Sequence, residues 1–144
     1  MLIPSHVRQH FDLVVAALEK RNLDAKPLLE RLLLLDETRR ATQVDLDQTL
    51  ASANSIAKEI GQLFKQGKAD EANLKKEESA SLKSSTKILQ TKLQETADEL
   101  QELLYQLPNI PHESVPKGTS DQDNEEVLQN GTIPALESNA LPHW

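Results

Sequence analysis

Between residues 28 and 107 apolar side chains recur at alternating steps of three and four. In the first half the series runs Leu32, Leu35, Arg39, Thr42, Leu46, Thr49, Ala53, Ile56, Ile60, Leu63. In the second half it runs Lys75, Ser79, Leu82, Thr86, Leu89, Leu93, Thr96, Leu100, Leu103, Leu107. This spacing lays one narrow stripe along one side of an α-helix, as in a coiled coil. No proline interrupts residues 28–107, so helix is nowhere forbidden. The one break is Gln66-Gly67-Lys68-Ala69-Asp70, polar and aperiodic, which predicts a turn near 66–73. Two helices follow, about 25–65 and 70–106, each on the order of 55–60 Å long. Joined by so short a turn, they pack antiparallel. Leu32 then faces Leu107, Leu35 faces Leu103, Leu46 faces Leu93 and Ile56 faces Leu82. The hairpin centres on Ala69, inside the polar gap.

The flanks differ. Upstream, roughly Asp12 to Arg21 is a short amphipathic helix with Leu13, Val14, Ala17 and Leu18 on one face. Asn22 is its stop. Asp24 is the expected N-cap of the next helix, with Pro27 in the first turn. Downstream, Pro108, Pro111 and Pro116 lead into an acidic, aperiodic stretch. The fold class is therefore all-α: a short N-terminal helix, a long antiparallel two-helix coiled-coil hairpin, then an irregular linker. Residues 1–107 form the arm and 108–144 the linker. The abrupt end on Trp144, the sole Trp, is read as truncation. The seam is soft in its middle, where Thr42 faces Thr96 and Ala53 faces Thr86. That softness is read either as a tolerated polar layer or as a place where the arm bends.

Composition narrows the function. The chain has 24 Leu but only two Phe, one Tyr and one Trp, too few aromatics for a compact enzyme around a deep pocket. Without cysteine there is neither a disulfide framework nor thiolate chemistry. The four histidines, His6, His10, His112 and His143, are scattered, and no metal site is expected. No apolar run approaches the ~20 residues that span a bilayer, and no secretory signal opens the chain. A cytoplasmic location is expected, with no membrane partner.

The net charge of −7 argues globally against a nucleic-acid partner. Its distribution argues otherwise. Residues 1–57 carry seven bases and eight acids, residues 58–92 eight lysines and five acids, and residues 93–144 one lysine and ten acids. The hairpin's far end is basic. Lys58 and Lys65 lie seven apart on one long helix, and Lys76 and Lys83 do so on the other, with Lys87 one turn on and Lys68 and Lys75 at the tip. A solvated helix surface is the simpler reading of these lysines. The functional reading is phosphate contact, with affinity that falls as salt rises. Phe64 is the tip's only aromatic, so stacking on unpaired bases is not the main mode. Shape-based contact with a folded RNA fits better.

Four stretches carry a resemblance: FDLVVAALEKRNLD at 11–24; Leu35-Asp36-Glu37-Thr38-Arg39-Arg40; Asn54-Ser55-Ile56-Ala57-Lys58-Glu59-Ile60-Gly61; and LPNIPHESVPKG at 107–118. The chain resembles the N-terminal tRNA-binding arm of bacterial seryl-tRNA synthetases over nearly its whole length. The last motif is the most specific. Two departures stand out. Ala57 replaces the family's usual Ser, and Ala51, Ser52 and Ala53 occupy ground where the family often carries a further Arg.

The resemblance implies an arm that recognises the long variable arm and elbow of tRNA-Ser by shape. It also implies a class II catalytic body beyond residue 144. In that body serine is activated with ATP and Mg2+ and transferred to tRNA, and through it the full-length protein is a homodimer. None of the three class II motifs lies in these residues, so the chain itself carries no catalytic residue and no cofactor. The candidate RNA-binding residues are Lys58, Lys65, Lys68, Lys75, Lys76, Lys83 and Lys87. Arg39 sits in the seam opposite Leu100, where a structural ion pair with Glu99 and Glu102 is preferred over RNA contact, since the tip and middle are expected to do the binding. Arg40 faces solvent or the missing body. The competing function is a coiled-coil protein–protein or chaperone-like hairpin, for which Leu50, Ala57 and Phe64 offer a seven-spaced row beside the seam.

Overall fold

The computed structural model describes residues 2–132, 134–136 and 140–141. Trp144 and His143 lie outside the described residues. Among the described residues four α-helices appear in order: α1 (Pro4–Gln9), α2 (Phe11–Glu19), α3 (Lys26–Lys65) and α4 (Ala69–Gln106). A single 3-10 turn follows at Asp121–Asp123, and there is no strand among the described residues. At 40 and 38 residues, α3 and α4 are about 57–60 Å long and form the hairpin.

The predicted seam holds at every position. All twenty residues of the two 3–4 series are buried or half-buried, while most of their neighbours are exposed. The turn is tighter than the expected 66–73, because α3 ends in a Schellman motif. Lys68 N–H donates to Leu63 O at 3.0 Å and Gly67 N–H to Phe64 O at 3.1 Å. Gly67 takes φ +76°, which a Cβ would strain although no atom lies within 4 Å of that Cβ. Gly67→Ala is expected to destabilise the hairpin by about 1 kcal/mol through backbone strain alone, measured as a shift in urea midpoint.

Packing is concentrated at the base. Val7, Val14, Leu18, Ala25, Leu29, Leu32, Leu35, Leu100, Leu103, Leu104 and Leu107 form one core, closed by Leu2. Towards the tip two helices must cover each other alone, and Ile56 and Ala72 are the only apolar side chains fully buried beyond Leu46. The middle is polar but satisfied. Thr42 and Thr96 are buried. Thr96 and Thr86 Oγ1 donate back to Lys92 O at 2.7 Å and Leu82 O at 2.9 Å, a bond that tends to bend helices. Amide exchange is expected to be slowest at the base and to quicken tipward. Slower exchange at 46–60 and 82–93 than at the base would contradict this.

Three expectations need correction. Helix α1 lies ahead of the predicted short helix; its six residues are too few to show a period, and only Val7 is buried. Leu13 is 70% exposed, because α2 turns Val14 and Leu18 inward instead. The N-cap of α3 is Ala25, not Asp24, and no side chain caps it. Ala25 is fully buried in the elbow, so packing sets where the helix begins. Pro27 does stand in the first turn.

Beyond Leu107 the irregular segment folds back on the α2–α3 elbow. Lys20 Nζ donates to Glu113 O at 3.0 Å and Val115 O at 3.4 Å, and Arg21 Nη1 to Asn109 O at 3.0 Å. Asn22, at φ 56°, donates from Nδ2 to Gly118 O at 2.6 Å. Asp123 closes the following turn by accepting from Thr119 N–H at 2.7 Å and Ser120 N–H at 3.0 Å. Those two backbone donors hold its carboxyl below the usual carboxylate range.

Candidate nucleic-acid interface

The seam register decides which side chains share a face. With seam residues at heptad positions a and d, Lys76 and Lys83 fall at e of α4, and Leu50, Ala57 and Phe64 at e of α3. In an antiparallel pair the two e rows flank one side of the seam and the two g rows the other. Contacts agree. Lys76 Nζ lies 4.7 Å above the Phe64 ring, on the e side. Arg31 pairs with Glu99, and Lys75 with Glu59 at 3.3 Å, on the g side.

The two faces differ in charge. The e side carries Lys76 and Lys83, with Lys87 and Arg40 on the adjoining shoulders, and between them mostly uncharged residues such as Gln43, Asn54, Gln90 and Gln94. Its acids are Asp36 and Asp47, and Asp36 is fully occupied by arginines. The g side and its shoulders carry Asp45, Glu59, Glu71, Glu78, Glu95, Glu99 and Glu102 against Arg31 and Lys92. One face of the hairpin therefore attracts polyanions and the other repels them.

The seven candidate lysines separate accordingly. Lys76, Lys83 and Lys87 come together on the e side and are exposed. Lys58 and Lys65 occupy position f, the outer edge of α3 facing away from α4, and share no face with Lys76 and Lys83. Lys75 is half-buried and held by Glu78 at 3.1 Å and Glu59 at 3.3 Å, which raise its pKa. Lys68 pairs with Glu71 at 3.3 Å. Lys58, Lys65, Lys83 and Lys87 have no ion-pair partner among the described residues.

Arg39 is not paired with Glu99 or Glu102. It reaches back along its own helix to Asp36 Oδ1 at 3.0 Å, while Glu99 pairs with Arg31. The cause is a carboxylate one turn away that sequence reading passed over. The Asp36 side chain is only 6% exposed, and Arg8 and Arg40 Nε, the latter at 3.2 Å, bind its Oδ2. Burial pushes the Asp36 carboxyl up, but hydrogen bonds from Arg39 and Arg8 outweigh it and hold the group below its ordinary value. The signal available in the sequence was Asp36 followed at three and four residues by two arginines. His6 and His10 meet ring to ring at 4.8 Å. Among the described residues, no group of three or more His, Asp or Glu could hold a metal ion, and no helix is long and apolar enough to cross a membrane.

The chain is similar to known proteins. The serine–tRNA ligase of Salinibacter ruber is 35% identical over 131 residues, covering 91% of this chain and 31% of that protein. That of Carboxydothermus hydrogenoformans is 37% identical, covering 100% of this chain and 33% of the relative. The chain thus spans about a third of the length of the curated relatives it matches. The crystal structure of seryl-tRNA synthetase from Pyrococcus horikoshii complexed with ATP superposes with a TM-score of 0.73 at 30% identity, covering 86% of this chain and 28% of that one. Residues 1–111 match the family described as the seryl-tRNA synthetase N-terminal domain. By that match over most of its length, the chain belongs to the seryl-tRNA synthetase N-terminal domain family.

Proposed function

We propose that this chain is the tRNA-binding arm of a serine–tRNA ligase, recognising the long variable arm and elbow of tRNA-Ser through its phosphate backbone and shape. The observation that carries this reading is the one-sided charge of a long hairpin in a chain of this family. Lys83 and Lys87 have no ion-pair partner among the described residues. Lys76 donates to Asn73 Oδ1 at 3.4 Å and stands over the Phe64 ring. The acids of that face are only Asp36 and Asp47. Lys58 and Lys65 form a secondary contact along the edge of α3, and Lys68 and Lys75, already paired with acids, contribute least.

In this reading residues 1–107 are the arm, and 108–144 lead towards a class II catalytic body. Serine activation with ATP and Mg2+ belongs to that body, as does homodimerisation, and the assembly works in the cytoplasm. No residue of this chain is assigned a catalytic role. The row Leu50, Ala57 and Phe64 does not favour a protein-binding hairpin instead. Lys76 covers the Phe64 ring, and the row lies beside lysines on the basic face.

A gel-shift experiment tests the proposal. The chain is expected to retard tRNA-Ser, but not a tRNA without a long variable arm. Equal retardation of both, or of neither, overturns it.

A further inference from the structure

We propose that Arg8, Arg39 and Arg40 form a second phosphate-binding site at the base of the hairpin. It lies on the same face as the tip lysines, so that a double-helical RNA runs along the arm rather than across its tip. The inference rests on the reading that the arm binds RNA.

Three guanidinium groups converge on one carboxylate, which leaves the cluster with an excess of two positive charges. Asp36 is enclosed, whereas Arg8, Arg39 and Arg40 remain 39%, 37% and 52% exposed. Each guanidinium has five N–H donors in a planar fork, and the Asp36 contacts use only a part of them. With Ile3, Pro4, Ser5, Leu100 and Leu104, the three arginines line an open depression of about 380 Å³. Asp36 is the one carboxylate that lines it, and the three arginines outweigh its charge.

Asp36 orients the forks before any ligand arrives. Arginine loses much rotamer freedom on binding an anion, and here folding has already removed part of it. Charge-assisted, bidentate arginine contacts to phosphate are among the strongest hydrogen bonds available at a surface. The direction follows from the register. Asp36 is at e and Arg40 at the adjoining b position of α3, on the side that carries Lys76 and Lys83. Lys83 stands level with Ile56 of α3, about 17 residues from Arg39, hence roughly 25 Å along the arm. Two phosphate contacts that far apart, on one face, fit a duplex read by shape.

The test is equilibrium binding of the chain to labelled tRNA-Ser by fluorescence anisotropy over a salt series. It compares wild type, Arg40→Gln, Arg40→Lys and Lys83→Glu. Arg40→Gln is expected to weaken binding about three- to tenfold and to lower the log K against log salt slope by about one. Arg40→Lys keeps the charge and is expected to restore the slope but not the full affinity. Arg8→Gln provides a second removal, on a different helix, should Arg40→Gln melt early by circular dichroism. If Lys83→Glu weakens binding while Arg40→Gln and Arg8→Gln leave affinity and slope unchanged, the basal site is overturned and the tip reading survives. If wild type binds no RNA, both fall.

Discussion

Reversing Lys76 and Lys83 together to Glu is expected to weaken tRNA-Ser binding by about 10- to 100-fold and to lower its salt slope by about two. Each lysine at a phosphate releases roughly one counterion, so each loss removes close to one unit of slope. Reversal goes beyond removal, because it places two carboxylates on a face whose remaining acids are few. Lys58→Glu supplies the contrast. Lys58 is as exposed and as free of ion pairs, but it stands at the outer edge of α3. Its reversal is expected to cost less than fivefold. Equal losses from the edge and face variants would show that net charge, not the face, governs binding. Lys76 also covers Phe64 at 4.7 Å. That contact is worth about 0.5–1 kcal/mol at an exposed site, so thermal melts must accompany the binding curves.

Replacing Asp36 by Ala is expected to destabilise the chain by about 2–4 kcal/mol. Breaking a buried ion pair from one side costs about 3–5 kcal/mol. The lower figure applies because the three arginines are a third to a half exposed and regain water. Arg8 is the charged tie between α1 and α3, so α1 is expected to lose exchange protection before the hairpin does. Acid acts through the same carboxylate. Its folded pKa lies below the unfolded value of about 3.9. Its contribution is therefore complete above about pH 5 and is lost as pH falls through the folded pKa. Urea midpoints of wild type should drop below pH 4, and those of Asp36→Asn should drop less. An identical acid limb in both would assign the loss to other carboxylates.

The hairpin was legible in the sequence because a two-stranded seam is a one-dimensional rule. Spacing alone places Leu32, Leu46, Ile56, Leu82 and Leu100 on the contact line, and the polar gap at Gly67 sets the register. What sequence reading missed depends on three-dimensional neighbours. Asp36 flanks the seam and reads as a surface carboxylate until α1 covers it and delivers Arg8. Arg39 was placed at the correct level, but Asp36 lies one turn away on its own helix at 3.0 Å, and Glu99 is held by Arg31 on the other side of the seam. Lys20, Arg21 and Asn22 bind backbone carbonyls between Asn109 and Gly118, and carbonyls carry no sequence signature. Lysine periodicity found the basic end of the arm. Only the pairing of e rows separates the Lys76–Lys83 face from the Lys58–Lys65 edge.

The uneven burial along the hairpin has a mechanical meaning. Nearly all of the core grips the first three turns, and the remaining length projects as a beam fixed at one end. Deflection of such a beam grows steeply with distance from its clamp. On the proposed reading, the lysines that contact RNA ride on the part farthest from the clamp, where a given flexing moves them most. Their affinity includes the entropic cost of stopping that motion. On the same reading the arginines at the clamped end, already oriented by Asp36, bear less of that cost.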